Sequence, residues 1–232
     1  MTRAAFLFSG QLRGFKYCID SMKEHLFSAF DEYDTFFYIP NEDAKQLLES
    51  WEPTAMIAEP DQIHSEVDGF GARIVHSNNI PGYKVYNNAL QHYWLQWYGV
   101  KKVFELFDDY RSVTNKHYDV AIRIRCEFKF NSKYVYEPFD GFQIPDFNGH
   151  GGVYDRLAIA PVKHMRYYCS IYDKIREGYY HHDVNLGNSE SKLLQHLQSY
   201  KDAKGVNATQ IKMSYVRIKT DGSVASDVEN QG

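Results

Sequence analysis

The sequence predicts an α/β fold: one domain in which a mostly parallel central sheet is flanked by helices. Three observations carry that prediction. Short apolar runs suited to buried strands alternate with longer stretches whose apolar residues recur every three or four positions. The first of these runs passes through a glycine loop into a helix, the opening of a βαβ unit. Third, Tyr118 to Phe130 (YDVAIRIRCEFKF) sets Val120, Ile122 and Ile124 against Ala121, Arg123 and Arg125, the period of a central strand. A chain of 232 residues holds one generous domain of this kind.

That strand is unusual in its charge. Arg123, Arg125 and then Glu127 follow its apolar half. Buried charge is costly unless it is paired or spent on a ligand. In open α/β sheets the ligand crevice lies at the carboxyl ends of the strands. Two readings follow: the three residues line a site for an anion with a cation nearby, or they form a structural Arg–Glu pair.

The elements justify themselves in order. Ala4 to Phe8 is a fully apolar strand, and Ser9-Gly10-Gln11-Leu12-Arg13-Gly14 is the loop after it. The loop matches neither a dinucleotide fingerprint nor a P-loop. Gln11 and Arg13 point to ligand contact, although an ordinary strand–helix turn would suit the glycines equally. Phe15, Ile19, Met22, Leu26 and Phe30 mark one face of the first helix. Thr35 to Ile39 is a second strand, and Pro40-Asn41 opens a short helix with Ala44, Leu47, Leu48 and Trp51 inward. Thr54 to Ala58 is a third strand. Glu59 to Gly82 reads as an acidic loop, with at most a short strand at Arg73 to His76, and is expected to be a substrate-facing lid or a surface excursion.

A long helix is expected near Tyr83 to Phe107, its aromatic stripe belonging to the core. After the central strand come a strand at Gly141 to Pro145, a glycine-rich turn from Asn148 to Arg156, and a strand at Leu157 to Ala160. Met165, Tyr168, Tyr172 and Ile175 define a helix stopping at Gly178. The neighbours His181 and His182 would point to opposite faces of a strand, which argues against a shared metal. Asn188 or Ser189 caps a further helix, and Ile211 to Ile218 is a last strand. The domain is expected to span 1–219, with 220–232 a linker-like or disordered tail of the kind that connects to further domains of a longer protein.

Composition narrows the function classes. With a net charge of −4, nonspecific nucleic-acid binding gains no support. The three cysteines have no metal spacing and are expected to be reduced thiols of an intracellular protein. No apolar run reaches membrane-spanning length. The 19 tyrosines and 15 phenylalanines can supply stacking platforms for sugars or bases, Tyr83 and Tyr154 among them, but such rings commonly fill cores.

Four segments in this order, FLFSGQLRGF, YDVAIRIRCEF, GGVYDRLAIAP and NSESKLL, resemble a family of small glycosyltransferases of the GT-A fold. Members occur in capsule and glycan loci and in large algal DNA viruses, and the chlorella-virus enzymes look most similar. The resemblance covers roughly residues 3 to 222. It implies a GT-A-like, Rossmann-like domain with a nucleotide-sugar donor, such as a UDP-sugar, and a glycan acceptor. Phe8, Ser9, Gly10, Gln11 and Arg13 would lie against the nucleotide, with Arg123 and Arg125 at its diphosphate. Transfer would serve a viral capsid or cell-surface glycan, in the cytoplasm of the producing or host cell.

The chain departs from the family pattern in one respect. Where such enzymes keep an Asp-x-Asp metal motif it reads Arg123-Ile124-Arg125-Cys126-Glu127, and Asp-x-Asp occurs nowhere in it. Two arrangements remain: Glu127 holds Mn²⁺ or Mg²⁺, or the arginines take the ion's place. Glycosyl transfer by inversion also needs a base for the acceptor hydroxyl. Asp155, after a double glycine, and Glu190, in the first turn of a late helix, are the candidates; turn formation and helix-dipole complementarity are their structural alternatives. Two other classes stay open. One is a non-catalytic nucleotide-sugar or glycan-binding domain. The other is a methyltransferase, which Ile39-Pro40 fits poorly because that fold wants an acid ending the second strand.

Overall fold

The computed structural model describes residues 1–59, 87–147, 152–177 and 189–225, except for the side chains of 87–94. Several expectations lie outside that range: the lid and the short strand at Arg73 to His76, Tyr83, the turn at 148–151, the histidines 181 and 182, the Asn188 cap and the tail beyond Ala225.

The described chain is α/β. Its main sheet has seven strands: β1 (Arg3–Ser9), β2 (Glu32–Pro40), β3 (Ala55–Glu59), β4 (Val120–Ile124), β6 (Phe142–Pro145), β7 (Leu157–Pro161) and β8 (Ala208–Ile211), in the order β3-β2-β1-β4-β7-β6-β8. Within it β3, β2, β1 and β4 are mutually parallel, β7 runs antiparallel to β4 and β6, and β8 is parallel to β6. A mostly parallel sheet of this kind is compatible with a Rossmann-like fold. Two further strands, β5 (Phe128–Phe130) and β9 (Tyr215–Arg217), pair antiparallel in a small second sheet.

Helices cover both faces, and β2 shows why. Phe36 and Phe37 are consecutive, so they point to opposite sides. Phe37 stacks on Phe8 at 4.5 Å and meets Phe15, in the helix α1 (Phe15–His25), edge-on. Phe36 instead packs against Phe107 and Tyr110 of the long helix α3 (Asn87–Thr114). Burial on both sides is the reason β1 reads as a continuous apolar run and does not alternate. Between these helices in the chain comes α2 (Asn41–Ser50), entered through Pro40 and carrying Glu42 and Asp43 in its first turn, where a helix favours negative charge.

Several boundaries differ from the sequence expectation, beginning with the first helix, which ends at His25, short of Leu26 and Phe30. The long helix continues past Phe107 to Thr114. The single helix expected between Met165 and Ile175 is two, α4 (Val162–Cys169) and α5 (Ile171–Arg176). Ser170 separates them: its hydroxyl and its N–H both donate to the Tyr167 carbonyl, which tightens the turn and ends the ladder. The central strand also ends early. Arg125 N–H donates to the Arg156 carbonyl and is followed by a turn, after which the chain enters the second sheet at Phe128. The expected last strand is likewise divided between the sheets, β8 in one and β9 in the other. Alternation of side chains continues through both changes, so period alone did not reveal the change of partner.

In the last helix, α6 (Ser189–Lys204), Ser189 is a helical residue and not the cap. Thr220 to Ala225, expected to start a linker-like tail, turns back on the domain: Ala225 N–H donates to the Arg217 carbonyl and Ala225 is buried.

Candidate active site

The strand order reverses between β1 and β4: β2 and β3 extend one way from β1, and β4 returns to its other side. The register pairs Phe8 with Ile124 and Ile124 with Leu157. The end of β1, the end of β4 and the start of the antiparallel β7 therefore share one edge. This is the crevice position of an open α/β sheet. Every candidate from Phe8 to Arg13, from Arg123 to Glu127, and Asp155 stands on or next to it.

The loop after β1 is tightly built. Gly10 takes φ 102°, which a side chain would resist, and donates its N–H to the Tyr38 carbonyl. Leu12 N–H donates to the Asp43 carboxylate at 2.8 Å, tying the loop to the first turn of α2. Arg13 has φ 39°, a left-handed conformation that few non-glycine residues adopt. Its Nε donates to Gln11 Oε1 at 3.3 Å. Phe8 is buried in the core, Ser9 is nearly so, and Ser9 Oγ has no hydrogen-bond partner among the described residues. Beside Arg13 opens a cleft of ≈ 450 Å³ lined also by Lys16, Gln46, Glu49, Ser50 and Thr220.

Glu127 joins the two strands' ends. Its Oε1 lies 2.6 Å from Arg125 Nη2, an ion pair without hydrogen-bond alignment, and 3.9 Å from Arg13 Nη1. Glu127 is only 2 % exposed, whereas the side chains of Arg125 and Arg13 are 19 % and 43 % exposed. Burial lowers the Arg125 pKa from the usual guanidinium value; Glu127 opposes this, while Arg123, Arg156 and Arg13 reinforce it. Burial likewise pushes up the neighbouring thiols, Cys18 to about 12 and Cys126 further, so both stay protonated.

Arg123 stands apart from that group. Paired in register with Leu7 and Ala158, it is wholly buried. None of its three guanidinium nitrogens has a hydrogen-bond partner among the described residues. It therefore underlies the site and presents no surface to it.

Across the edge, Asp155 is 3 % exposed. Gln96 Nε2, from α3, donates to Asp155 Oδ2 at 2.6 Å and to Ser189 Oγ at 3.1 Å. Asp155 Oδ1 has no hydrogen-bond partner among the described residues, and Arg156 Nε lies 4.0 Å from it. Val153 N–H donates to the Glu190 carbonyl, and Gly152 lies so close that a Cβ there would overlap the Glu190 backbone. The two proposed bases, Asp155 and Glu190, are thus brought together by the Gly152–Asp155 segment. Gln96 was invisible to sequence reasoning, being one of several polar residues on a long helix with no motif around it. Asp43 gave only the weak signal of an acid in a first turn.

Tyr154, offered as a stacking platform, is instead buried with Phe128, Phe147 and Tyr215. Burial raises its pKa to about 12.

No protein-family model matches the chain, and no curated protein matches it. No helix among the described residues is long and apolar enough to cross a membrane.

Proposed function

We propose that this protein is a GT-A-type glycosyltransferase that moves a sugar from a nucleotide diphosphate, such as UDP, to a glycan hydroxyl. The observation that carries the reading is the convergence of Arg13 and Arg125 on Glu127 at the reversal of strand order, opposite a buried Asp155. A cationic edge suits a diphosphate, and a carboxylate across from it suits an acceptor hydroxyl. The Ser9–Arg13 loop would receive the nucleoside, as the resemblance implies, and Arg13 and Arg125 the diphosphate.

In the transfer step the acceptor oxygen forms a bond to the anomeric carbon. The bond from that carbon to the β-phosphate oxygen breaks, and its electron pair leaves with the nucleoside diphosphate. Asp155 takes the hydroxyl proton through Oδ1, the oxygen that Gln96 leaves free. A buried polar atom without a partner is a reasonable place to seek a reacting group. Glu190 contributes its backbone carbonyl to the support of Val153. The glycan made would belong to a viral capsid or cell surface, and the enzyme would work in the cytoplasm.

A second reading, a domain that binds a nucleotide sugar without turning it over, is favoured by the engagement of Glu127 with arginine where a metal ligand is expected. One experiment separates the two: nucleotide sugars are screened by thermal shift, and those that bind are assayed for release of the nucleoside diphosphate. A ligand at a hundredfold excess over its Kd adds about 2.7 kcal/mol to stability, an easily visible shift. Binding with release supports the enzyme, binding alone supports the second reading, and no binding by any nucleotide sugar overturns both.

A further inference from the structure

Resting on that reading, we infer that arginine alone neutralises the leaving diphosphate, with no divalent ion between diphosphate and protein. The resemblance implies an ion at the end of the central strand, and Glu127 is the carboxylate that would have to hold it. The residues do not fit that group. Glu127 Oε1 already faces Arg125 at 2.6 Å and Arg13 at 3.9 Å, and its side chain is almost fully shielded from solvent. A divalent cation placed on this oxygen would stand between two guanidiniums, and Arg125, the nearer one, is only partly screened by water.

The charge around Glu127 leads the same way. Arg125 lies within electrostatic reach of Arg13, Arg123 and Arg156. Asp155 stands beside Arg156, and Asp43 is occupied with the Leu12 N–H. Arg123 is left without an acceptor among the described residues, although it is wholly buried. An uncompensated buried cation costs several kcal/mol unless something of opposite charge arrives. Among the described residues the uncompensated charge is positive, which favours an anion at this edge. A cation would add to the imbalance.

Arginine is suited to the task, because its planar donor fork grips phosphate oxygens at two points. As the bond from the anomeric carbon to the β-phosphate oxygen breaks, negative charge grows on the diphosphate beside Arg125 and Arg13. Glu127 is then a positioning residue: it holds both guanidiniums at the edge of the crevice and touches no substrate.

The test is calorimetry on the full chain with inorganic pyrophosphate and with UDP, each in EDTA and in Mn²⁺. Both ligands should bind in EDTA at least as tightly as with Mn²⁺. Arg125→Lys and Arg13→Gln should each weaken binding by about tenfold or more. Arg13 is partly exposed, so that variant remains informative even if changes at the buried pair impair folding. Pyrophosphate binding that requires Mn²⁺, or is unchanged by Arg13→Gln and lost in Glu127→Gln, overturns the inference. So does pyrophosphate that binds under neither condition. Pyrophosphate that binds in EDTA while UDP does not would sustain the arginine site and overturn the nucleotide reading instead.

Discussion

Gln96 donates one hydrogen bond to the carboxylate of Asp155 at 2.6 Å and another to the hydroxyl of Ser189 at 3.1 Å. Through one amide the long helix α3 fixes both the loop before β7 and the start of α6. The carboxylate is thereby held by one oxygen, while the other has no hydrogen-bond partner among the described residues and faces Arg156 Nε at 4.0 Å. If Asp155 accepts the acceptor's proton, its orientation matters as much as its presence. Replacing Gln96 by methionine keeps the length of the side chain and removes the donor. Turnover is expected to fall about tenfold or more, while the donor's Kd, measured by calorimetry, stays the same. A purely structural role would instead lower the melting temperature and leave turnover per folded molecule unaltered.

The two carboxylates separate by substitution. Asp155→Asn should reduce turnover by about a hundredfold or more, the range of general base catalysis. Glu190→Gln should cost less than about tenfold, because Glu190 supports the Asp155 loop through its backbone carbonyl, which the substitution keeps, and Asp155 is the base. Release of nucleoside diphosphate from the matching donor measures both. The reverse ranking would move the base to Glu190.

Gly152 lies against the Glu190 backbone, and no flexible side chain is there to give way. Gly152→Ala should therefore lower stability by about 2 kcal/mol or more, the scale of overpacking a tight contact, or roughly 4 °C or more in melting temperature for a chain of this size. Thermal unfolding measures it. A shift of under a degree would mean that the loop and α6 separate easily, and that Asp155 and Glu190 are not held together.

How much of this was legible in the sequence depends on the range of each interaction. Strand β1, its glycine loop and α1 follow from local pattern, since an apolar run and a three–four repeat each declare themselves within ten residues. The edge shared by Arg13, Arg125 and Glu127 was also within reach, because carboxyl-end placement follows from a parallel sheet. The corner at Arg125 was not. Whether Phe128 pairs within the main sheet or with Arg217, nearly ninety positions later, is a long-range choice that alternation does not encode. Arg123 shows the opposite case: the strand pattern assigned it a face, yet only packing decides that this face is interior at that point. Gln96 is one of several polar residues on its helix, and its partners are 59 and 93 positions away, so local reasoning had nothing to single it out.

His196, on α6, gives the chain an acid sensitivity that can be located. It is wholly buried, stacks on Tyr167 at 4.1 Å and donates Nε2–H to the Tyr167 carbonyl at 2.7 Å. Burial lowers its pKa to about 4, against the opposing effect of that hydrogen bond. The neutral form is thus the one that folds. Above the unfolded pKa of about 6.5 both states are neutral and stability is fully present. Between there and about 4 the unfolded state gains a proton first, and stability falls by up to about 3 kcal/mol in total. Urea unfolding from pH 7 to 4 should show this decline, and His196→Gln, which can keep the hydrogen bond but cannot titrate, should flatten part of it. An identical slope in the variant would place the acid sensitivity elsewhere.

Arg123 offers the sharpest contrast between stability and function. Its guanidinium is fully buried, and no acceptor among the described residues satisfies any of its three nitrogens. A well-packed apolar side chain in place of buried charge is often stabilising by about 1 to 4 kcal/mol. Methionine has a similar length and adapts to irregular space between its neighbours. Arg123→Met is therefore expected to raise the melting temperature by about 2 °C or more. Turnover should fall in the same protein, because the positive charge beneath Arg125 would be gone when the diphosphate departs. Few substitutions at an interior position raise stability and lower activity together, and those that do mark a place where folding was compromised for function. Thermal unfolding and a donor-turnover assay on one preparation decide it. A melting temperature that drops by several degrees would show that Arg123 is satisfied in the folded protein and belongs to its scaffold. An unchanged turnover would show that its charge does not reach the site.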